Sequence, residues 1–225
     1  MQGTVTSVDS EEKQIRYTDA QGKDARIRYD LLVVAVGSII RRPDPDQGGI
    51  ALTEPQAAAG IRERWHANLR KVVGETNPEE RKRLMTIAVA GAGISGIETS
   101  VELARAMRKE AVALGLNSSD ISVYLLNAQE RLFPEGPAKV GRKLDQMLGE
   151  CGVTVLHNRK AMREEAGTVT LDNGHRLAAS LCIWTIGLIP NPALRSMGLR
   201  QVLVDECYRV QGAPGVYSIG DCKRS

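Results

Sequence analysis

The spacing of apolar residues divides the chain into strand-like and helix-like stretches. Alternating or β-branched runs at Gly3-Thr-Val-Thr-Ser-Val-Asp9, Gln14-Ile-Arg-Tyr-Thr18 and Ala25-Arg-Ile-Arg-Tyr29 predict three strands, with turns at Asp9-Ser-Glu-Glu12 and Asp19-Ala-Gln-Gly22. Leu31-Leu-Val-Val-Ala-Val-Gly37 is continuously apolar, the pattern of a strand covered on both faces. Arg41-Arg-Pro-Asp-Pro-Asp-Gln-Gly-Gly49 predicts a loop and a hinge, because its prolines forbid regular helix and its glycines loosen the adjoining chain.

Helical periodicity comes next. Thr53 and Gln56 have capping-box spacing, and Ile61, Trp65, Leu69 and Val72 then mark one face. Asn77 as N-cap, Pro78 at the first helical position and Glu80 at the third predict a second, short helix carrying Arg81-Lys-Arg83. Met85-Thr-Ile-Ala-Val-Ala90 reads as a strand. A helix from Ile94 to Leu114 comes after it, with Ile97, Val101, Ala104, Ala111 and Leu114 on one stripe. Then come a strand at Ile121–Leu126, a helix at Ala138–Glu150 ending near Gly152, and a strand at Val153–Leu156. Strands alternating with helices imply a parallel sheet with right-handed crossovers.

The chain then repeats the cadence of its opening. Gly167-Thr-Val-Thr-Leu171, a turn at Asp172-Asn-Gly174, His175-Arg-Leu177 and the buried run Leu181-Cys-Ile-Trp-Thr-Ile-Gly187 match the earlier hairpin, buried strand and glycine. Two copies are too few and too long for a solenoid, and suggest two domains of one design, one of them incomplete.

Composition narrows the class. The chain has 225 residues, 42% hydrophobic and 25% charged, ordinary values for a soluble globular protein. A net charge of +3, with both signs interspersed, leaves no footprint for nucleic acid. No apolar run approaches the roughly 18 residues of a membrane span. The N-terminus lacks the basic and apolar regions of a signal peptide, so a reducing, cytoplasmic setting is expected. Cys151, Cys182, Cys207 and Cys222 form no C-x-x-C pair and read as unpaired structural thiols. His66, His157 and His175 lack ligand spacing, so no metal is expected. Trp65 and Trp184 read as core, and Arg81-Lys-Arg83 as a solvated face.

The chemistry gathers at Gly91-Ala92-Gly93-Ile94-Ser95-Gly96, the sole G-x-G-x-x-G, which follows a strand and opens a helix. In a dinucleotide site the first glycine permits the tight turn, the second lets backbone approach a pyrophosphate, and the third lets helix and strand pack closely. The helix N-terminus offers unpaired N–H groups to the phosphates. A turn used only for packing, or a methyltransferase-type nucleotide turn, are the alternatives. The next strand ends at Asn127, where an acidic residue would bind the ribose of NAD; Asn can bond a hydroxyl without repelling a 2′-phosphate. Arg131 either pairs with a phosphate or is a solvated loop charge. NADH is the expected ligand, NADPH the second candidate.

With these residues laid out, the chain resembles the two-dinucleotide-binding flavoproteins, and within them the type II NADH dehydrogenases, over nearly its whole length. Val34-Ala-Val-Gly37 is similar to the segment where the chain leaves the flavin domain, and Gly91 to Glu98 to G-x-G-x-x-G-x-E of the nicotinamide domain. Trp184-Thr-Ile-Gly-Leu-Ile-Pro-Asn191 is similar to the return segment, and Val216-Tyr-Ser-Ile-Gly-Asp221 to the flavin-contacting Gly-Asp motif. The run Glu79-Glu-Arg-Lys-Arg-Leu-Met-Thr86 points to the subfamily.

The resemblance implies hydride transfer from nicotinamide to FAD and electrons onward to a quinone-like acceptor; a disulfide or ferredoxin acceptor, or a non-catalytic dinucleotide module, are the alternatives. It places Glu98, Ile186 and Gly187 near the nicotinamide and Asp221 at the flavin. Glu98 also reads as a first-turn carboxylate favoured by the helix dipole, and Ile186 and Gly187 as a buried strand end. No dedicated catalytic residue is implied. The family's N-terminal flavin fingerprint and C-terminal region find no match here. The expectation is therefore an α/β, Rossmann-like parallel sheet with flanking helices and a β-meander excursion, and incomplete flavin-domain remnants at both ends. Residues 1–44 and 189–225 would be the remnants and 45–188 the NAD(P)-binding domain. Asp221 would then be idle or a helix cap, FAD would bind only the intact parent, and the remnants could self-associate. The parent would sit peripherally at the cytoplasmic face of a membrane.

Overall fold

The computed structural model describes residues 2–199 and 202–222. The chain divides into two compact units, one of Met1–Arg41 with Leu188–Ser225 and the other of Arg42–Gly187.

The first unit opens with an antiparallel meander, β1 (Gly3–Asp9), β2 (Gln14–Asp19) and β3 (Asp24–Arg28), in the order β1-β2-β3. Aspartates set its turns: the Asp9 carboxylate accepts from the N–H groups of Glu11 and Glu12, and that of Asp19 from Gln21 and Lys23. Next come β4 (Leu32–Val34) and β5 (Ser38–Ile40). The expected doubly covered strand at Leu31–Gly37 does not form. Alternation sends Leu32 and Val34 into a cluster with Leu194, Val202, Val210 and Val216, and leaves Leu31 and Val33 66% and 55% exposed. The apolar run required a second layer that the described residues do not supply.

The second unit is built on β6 (Ile50–Ala51), α1 (Pro55–Gly74), α2 (Pro78–Leu84), β7 (Thr86–Ala90), α3 (Ile94–Ala113), β8 (Ser122–Asn127), α4 (Ala138–Glu150) and β9 (Val153–His157). A meander of β10 (Ala161–Glu165), β11 (Thr168–Leu171) and β12 (Arg176–Ala178) leads into β13 (Leu181–Trp184). The five-stranded sheet β6-β13-β7-β8-β9 is parallel throughout, the topology that the strand–helix alternation implies. Alternate residues of β7 serve two cores. Ile87 and Val89 meet Ile61, Trp65, Leu69 and Val72 of α1 and Leu103, Ala104 and Met107 of α3. Ala88 and Ala90 meet Val169 and Leu171 of the meander, with Cys182 and Trp184.

Several local expectations need correction. Glu54, not Thr53, occupies the N-cap position of α1, without a side-chain hydrogen bond and with Pro55 in the first turn, so the Thr53–Gln56 capping box does not form. Residues 44–49 are not a free hinge. Pro45–Gln47 form a 3-10 turn, Gln47 Nε2 donates to Met162 O, Gly49 N–H donates to the Glu164 carboxylate, and Trp184 Nε1 donates to Gly48 O at 2.7 Å. The basic run is not simply a solvated face either. Arg81 donates to the carbonyls of Val72 and Glu75, closing the end of α1, and Arg83 forks onto Glu80 at 2.7 and 2.5 Å while filling the space beside Gly167. Asn77 does cap α2 as expected, accepting from Glu79 and Glu80 N–H.

The chain returns to the first unit through β14 (Leu188–Pro190), antiparallel to β5, the short α5 (Ala193–Ser196), and β15 (Val216–Ser218), parallel to β4. Each unit thus contains a three-stranded antiparallel meander followed by a parallel strand and a left-handed glycine, Gly37 or Gly187. Among the described residues no helix is long and apolar enough to cross a membrane.

Candidate functional site

In the parallel sheet the chain leaves β7 toward β8 on one side, while β13 lies on its other side. This is a topological switch point, where the carboxyl ends of neighbouring strands leave a crevice for a ligand. Two segments meet there. Gly91–Gly96 follows β7, and the pairing of Trp184 with Ala90 brings Thr185, Ile186 and Gly187 alongside. Thr185 Oγ1 lies 3.1 Å from Ala90 O and 2.9 Å from Gly91 O, both acceptors for its one hydroxyl proton. Sequence reasoning alone misses this threonine; the signal is a hydroxyl directly after the buried strand beside β7.

The three glycines are required for different reasons. Gly91 has φ +112°, and a Cβ there would come within 2.9 Å of Thr185 O. A Cβ at Gly96 would overlap Gly91 O. Both positions serve close packing. Gly93 does not: its backbone is ordinary, φ −74°, and a Cβ would meet nothing within 4 Å. It is the N-cap of α3, no side chain caps that helix, and Gly93, Ile94 and Ser95 are exposed. The N–H groups of Ile94, Ser95 and Gly96 have no partner within the helix by its geometry. Open space in front of unpaired N–H groups, walled by glycine, fits a diphosphate.

The other expected residues are placed variously. Glu98 is exposed on α3 but lies beyond its first turn, so it is not the first-turn carboxylate that the dipole argument requires. Ile186 is half-buried against the meander cluster and Gly187 is exposed. Asn127 closes β8 but is 5% exposed, its amide bonded to Gln129 N–H and to His157. Arg131 is half-buried in the loop after β8, where its guanidinium donates to Gly136 O at 2.9 Å and Pro134 O at 2.5 Å and so braces that loop. In the other unit, Asp221 lies in the 3-10 turn Gly220–Cys222, and its carboxylate accepts from Ser38 Oγ at 3.2 Å.

The sequence pattern defining the pyridine nucleotide-disulphide oxidoreductases matches residues 1–225. The chain belongs to that family. Its relatives include Oxidoreductase ptaL of Pestalotiopsis fici, 30% identical over 99% of this chain and 55% of the relative. The Type II NADH:quinone oxidoreductase of Haemophilus influenzae is 23% identical over 98% of this chain and 56% of its own. NDH2 from Plasmodium falciparum, solved in complex with NADH, shares the family fold with a TM-score of 0.73 at 22% identity, covering 100% of this chain and 50% of that one. The chain therefore spans about half the length of the curated relatives it matches.

Proposed function

We propose that this chain is the NAD(P)H-binding module of an FAD-dependent oxidoreductase that delivers electrons to a quinone. The observation that carries the reading is Gly93, a glycine that packing does not explain, at an uncapped helix N-terminus in a switch-point crevice. The relatives support it: one is a Type II NADH:quinone oxidoreductase, and another was solved with NADH.

The nicotinamide, when bound, supplies a hydride to the flavin. The chain's own residues bind and orient. The N–H groups of Ile94, Ser95 and Gly96 would hold the diphosphate, with Gly91, Ala92 and Gly93 giving backbone access. Asn127 would stand at the adenosine ribose, with Arg131 shaping the loop beyond it. Ile186, Gly187 and Glu98 would border the nicotinamide. Thr185 would keep the two strand ends in register. Asp221, braced by Ser38, is proposed as a flavin contact in the 1–44 and 189–225 portions of a flavin domain, with 45–188 as the nicotinamide domain. The chain has one G-x-G-x-x-G, taken above for the nicotinamide dinucleotide, so FAD is proposed for the whole protein rather than this chain alone. The whole protein would meet its quinone at the cytoplasmic face of a membrane.

Calorimetric titration with NADH tests this reading. Saturable binding is expected, and Gly93→Trp should abolish it while leaving thermal unfolding unchanged, because the new side chain enters open space. Binding that survives Gly93→Trp, or no binding by the native chain, overturns it.

A further inference from the structure

Three side chains form a relay across the carboxyl ends of β8 and β9. Asn127 Oδ1 accepts from Gln129 N–H at 3.1 Å, Asn127 Nδ2 lies 3.0 Å from His157 Nδ1, and His157 Nε2 lies 3.0 Å from Asp145 Oδ1 on α4. Proton inventory assigns each role. With Oδ1 already accepting, Nδ2 is the donor, so His157 Nδ1 accepts and Nε2–H donates to the carboxylate. Asp145 thereby selects the imidazole tautomer, and the imidazole selects the amide orientation. The backbone reinforces this corner: Arg159 N–H donates to Asn127 O at 2.9 Å and Asn158 N–H to Gln129 O at 3.0 Å. Asn127 keeps one N–H and one lone pair outside these bonds.

In a dinucleotide-binding unit this strand end faces the adenosine ribose, and an acidic residue there reads the 2′-hydroxyl. A carboxylate also repels a 2′-phosphate, whereas a carboxamide carries no charge to do so. We infer that His157, held by Asp145, is a positioning residue that fixes the Asn127 carboxamide in one neutral orientation at the adenosine ribose, so that the site accepts the 2′-hydroxyl and the 2′-phosphorylated dinucleotide alike. This rests on the dinucleotide site proposed above. It explains why a histidine with no metal-ligand spacing stands opposite Asn127 in the β8–β9 register.

Parallel titrations of the chain with NADH and NADPH test the inference. The native affinities are expected within about threefold of each other. Asn127→Glu should weaken NADPH relative to NADH by about tenfold or more, through repulsion between carboxylate and phosphate. His157→Phe, which cannot accept from Nδ2, should weaken both ligands by roughly three- to tenfold, the worth of a hydrogen bond. His157→Gln, whose carbonyl oxygen can accept, should recover most of the loss. In an Asn127→Ala background, His157→Phe should change affinity less than about twofold, because the coupled partner is gone. Should the Phe variant not fold, Asp145→Leu carries the same expectation by releasing the imidazole.

A native preference for NADH above about tenfold overturns the inference. So does a His157→Phe loss that is equal with and without Asn127. Loss of binding in Gly93→Trp alongside either result would leave the dinucleotide site standing and remove only the role of His157. Binding indifferent to Gly93→Trp, or none by the native chain, removes both.

Discussion

Gly96 and the carbonyl oxygen of Gly91 approach so closely that no side chain fits between them, and a Cβ at Gly96 would also lie 2.8 Å from Thr185 Oγ1. One obstacle is backbone and the other a short hydroxyl already bonded to backbone, so neither yields cheaply. Gly96→Ala is expected to destabilise the chain by about 1–3 kcal/mol, the usual cost of overpacking. Gly93→Ala, facing open space, should leave stability within about 0.5 kcal/mol of native. Urea denaturation midpoints of the two variants check the contrast.

Trp184 ties the end of β13 to Gly48 O through its indole N–H. Trp184→Phe keeps most of the apolar volume but removes the donor. A loss of about 1–3 kcal/mol is expected from the stranded carbonyl and the smaller ring. Faster amide exchange at Gly49, whose N–H is bonded to Glu164, would show that the 44–49 segment has loosened with it.

The fork from Arg83 holds the Glu80 carboxyl below its ordinary value of 4.5, first through the side-chain hydrogen bonds; burial opposes this, and the charges of Arg83 and then Lys71 add to the lowering. A carboxyl depressed in the folded state adds stability that is present above its unfolded value and is lost as pH falls through its folded one. Native chain should therefore lose this increment below about pH 4.5, and Arg83→Met should lack it. The pair is partly exposed, so the increment is at most about 1 kcal/mol. Chemical denaturation of both proteins at neutral and acid pH measures it.

Cys182 is fully buried in β13, and burial, with the nearby Glu164 charge, pushes its thiol well above the ordinary value of 9.0. Cys151 and Cys207 are exposed. A neutral-pH alkylating reagent should label Cys151 and Cys207 in the native chain and reach Cys182 only after unfolding, since the thiolate is the reactive form. Peptide mapping of the labelled sites reads the outcome.

The parts of the fold that were legible in the sequence are those where local pattern and burial agree. The α1 stripe from Ile61 to Val72, the Asn77 cap and the β7–glycine–α3 sequence all emerge as their periodicity indicates. The misreadings have physical causes. Leu31 to Val36 is apolar, but apolarity does not say whether a second layer lies against it. Ala161-Met-Arg-Glu-Glu165 pairs as β10 although its charges hide any alternation, because Val169 and Leu171 on the neighbouring strand supply the buried face. Arg81 and Arg83 looked like surface charge, since only the folded chain reveals which carbonyls a guanidinium reaches. At the candidate site the glycines were legible because their spacing is rigid. Thr185 and the His157 relay were not, because they depend on which strands lie side by side.

The fastening of residues 44–49 also decides where this polypeptide can be cut. A module excised to begin at Ile50 would leave the Trp184 indole without its acceptor and the Glu164 carboxylate without the Gly49 amide, exposing the meander side of the sheet. One beginning ahead of Asp44 would carry its own clasp, so a piece that keeps these bonds starts several residues before its first parallel strand.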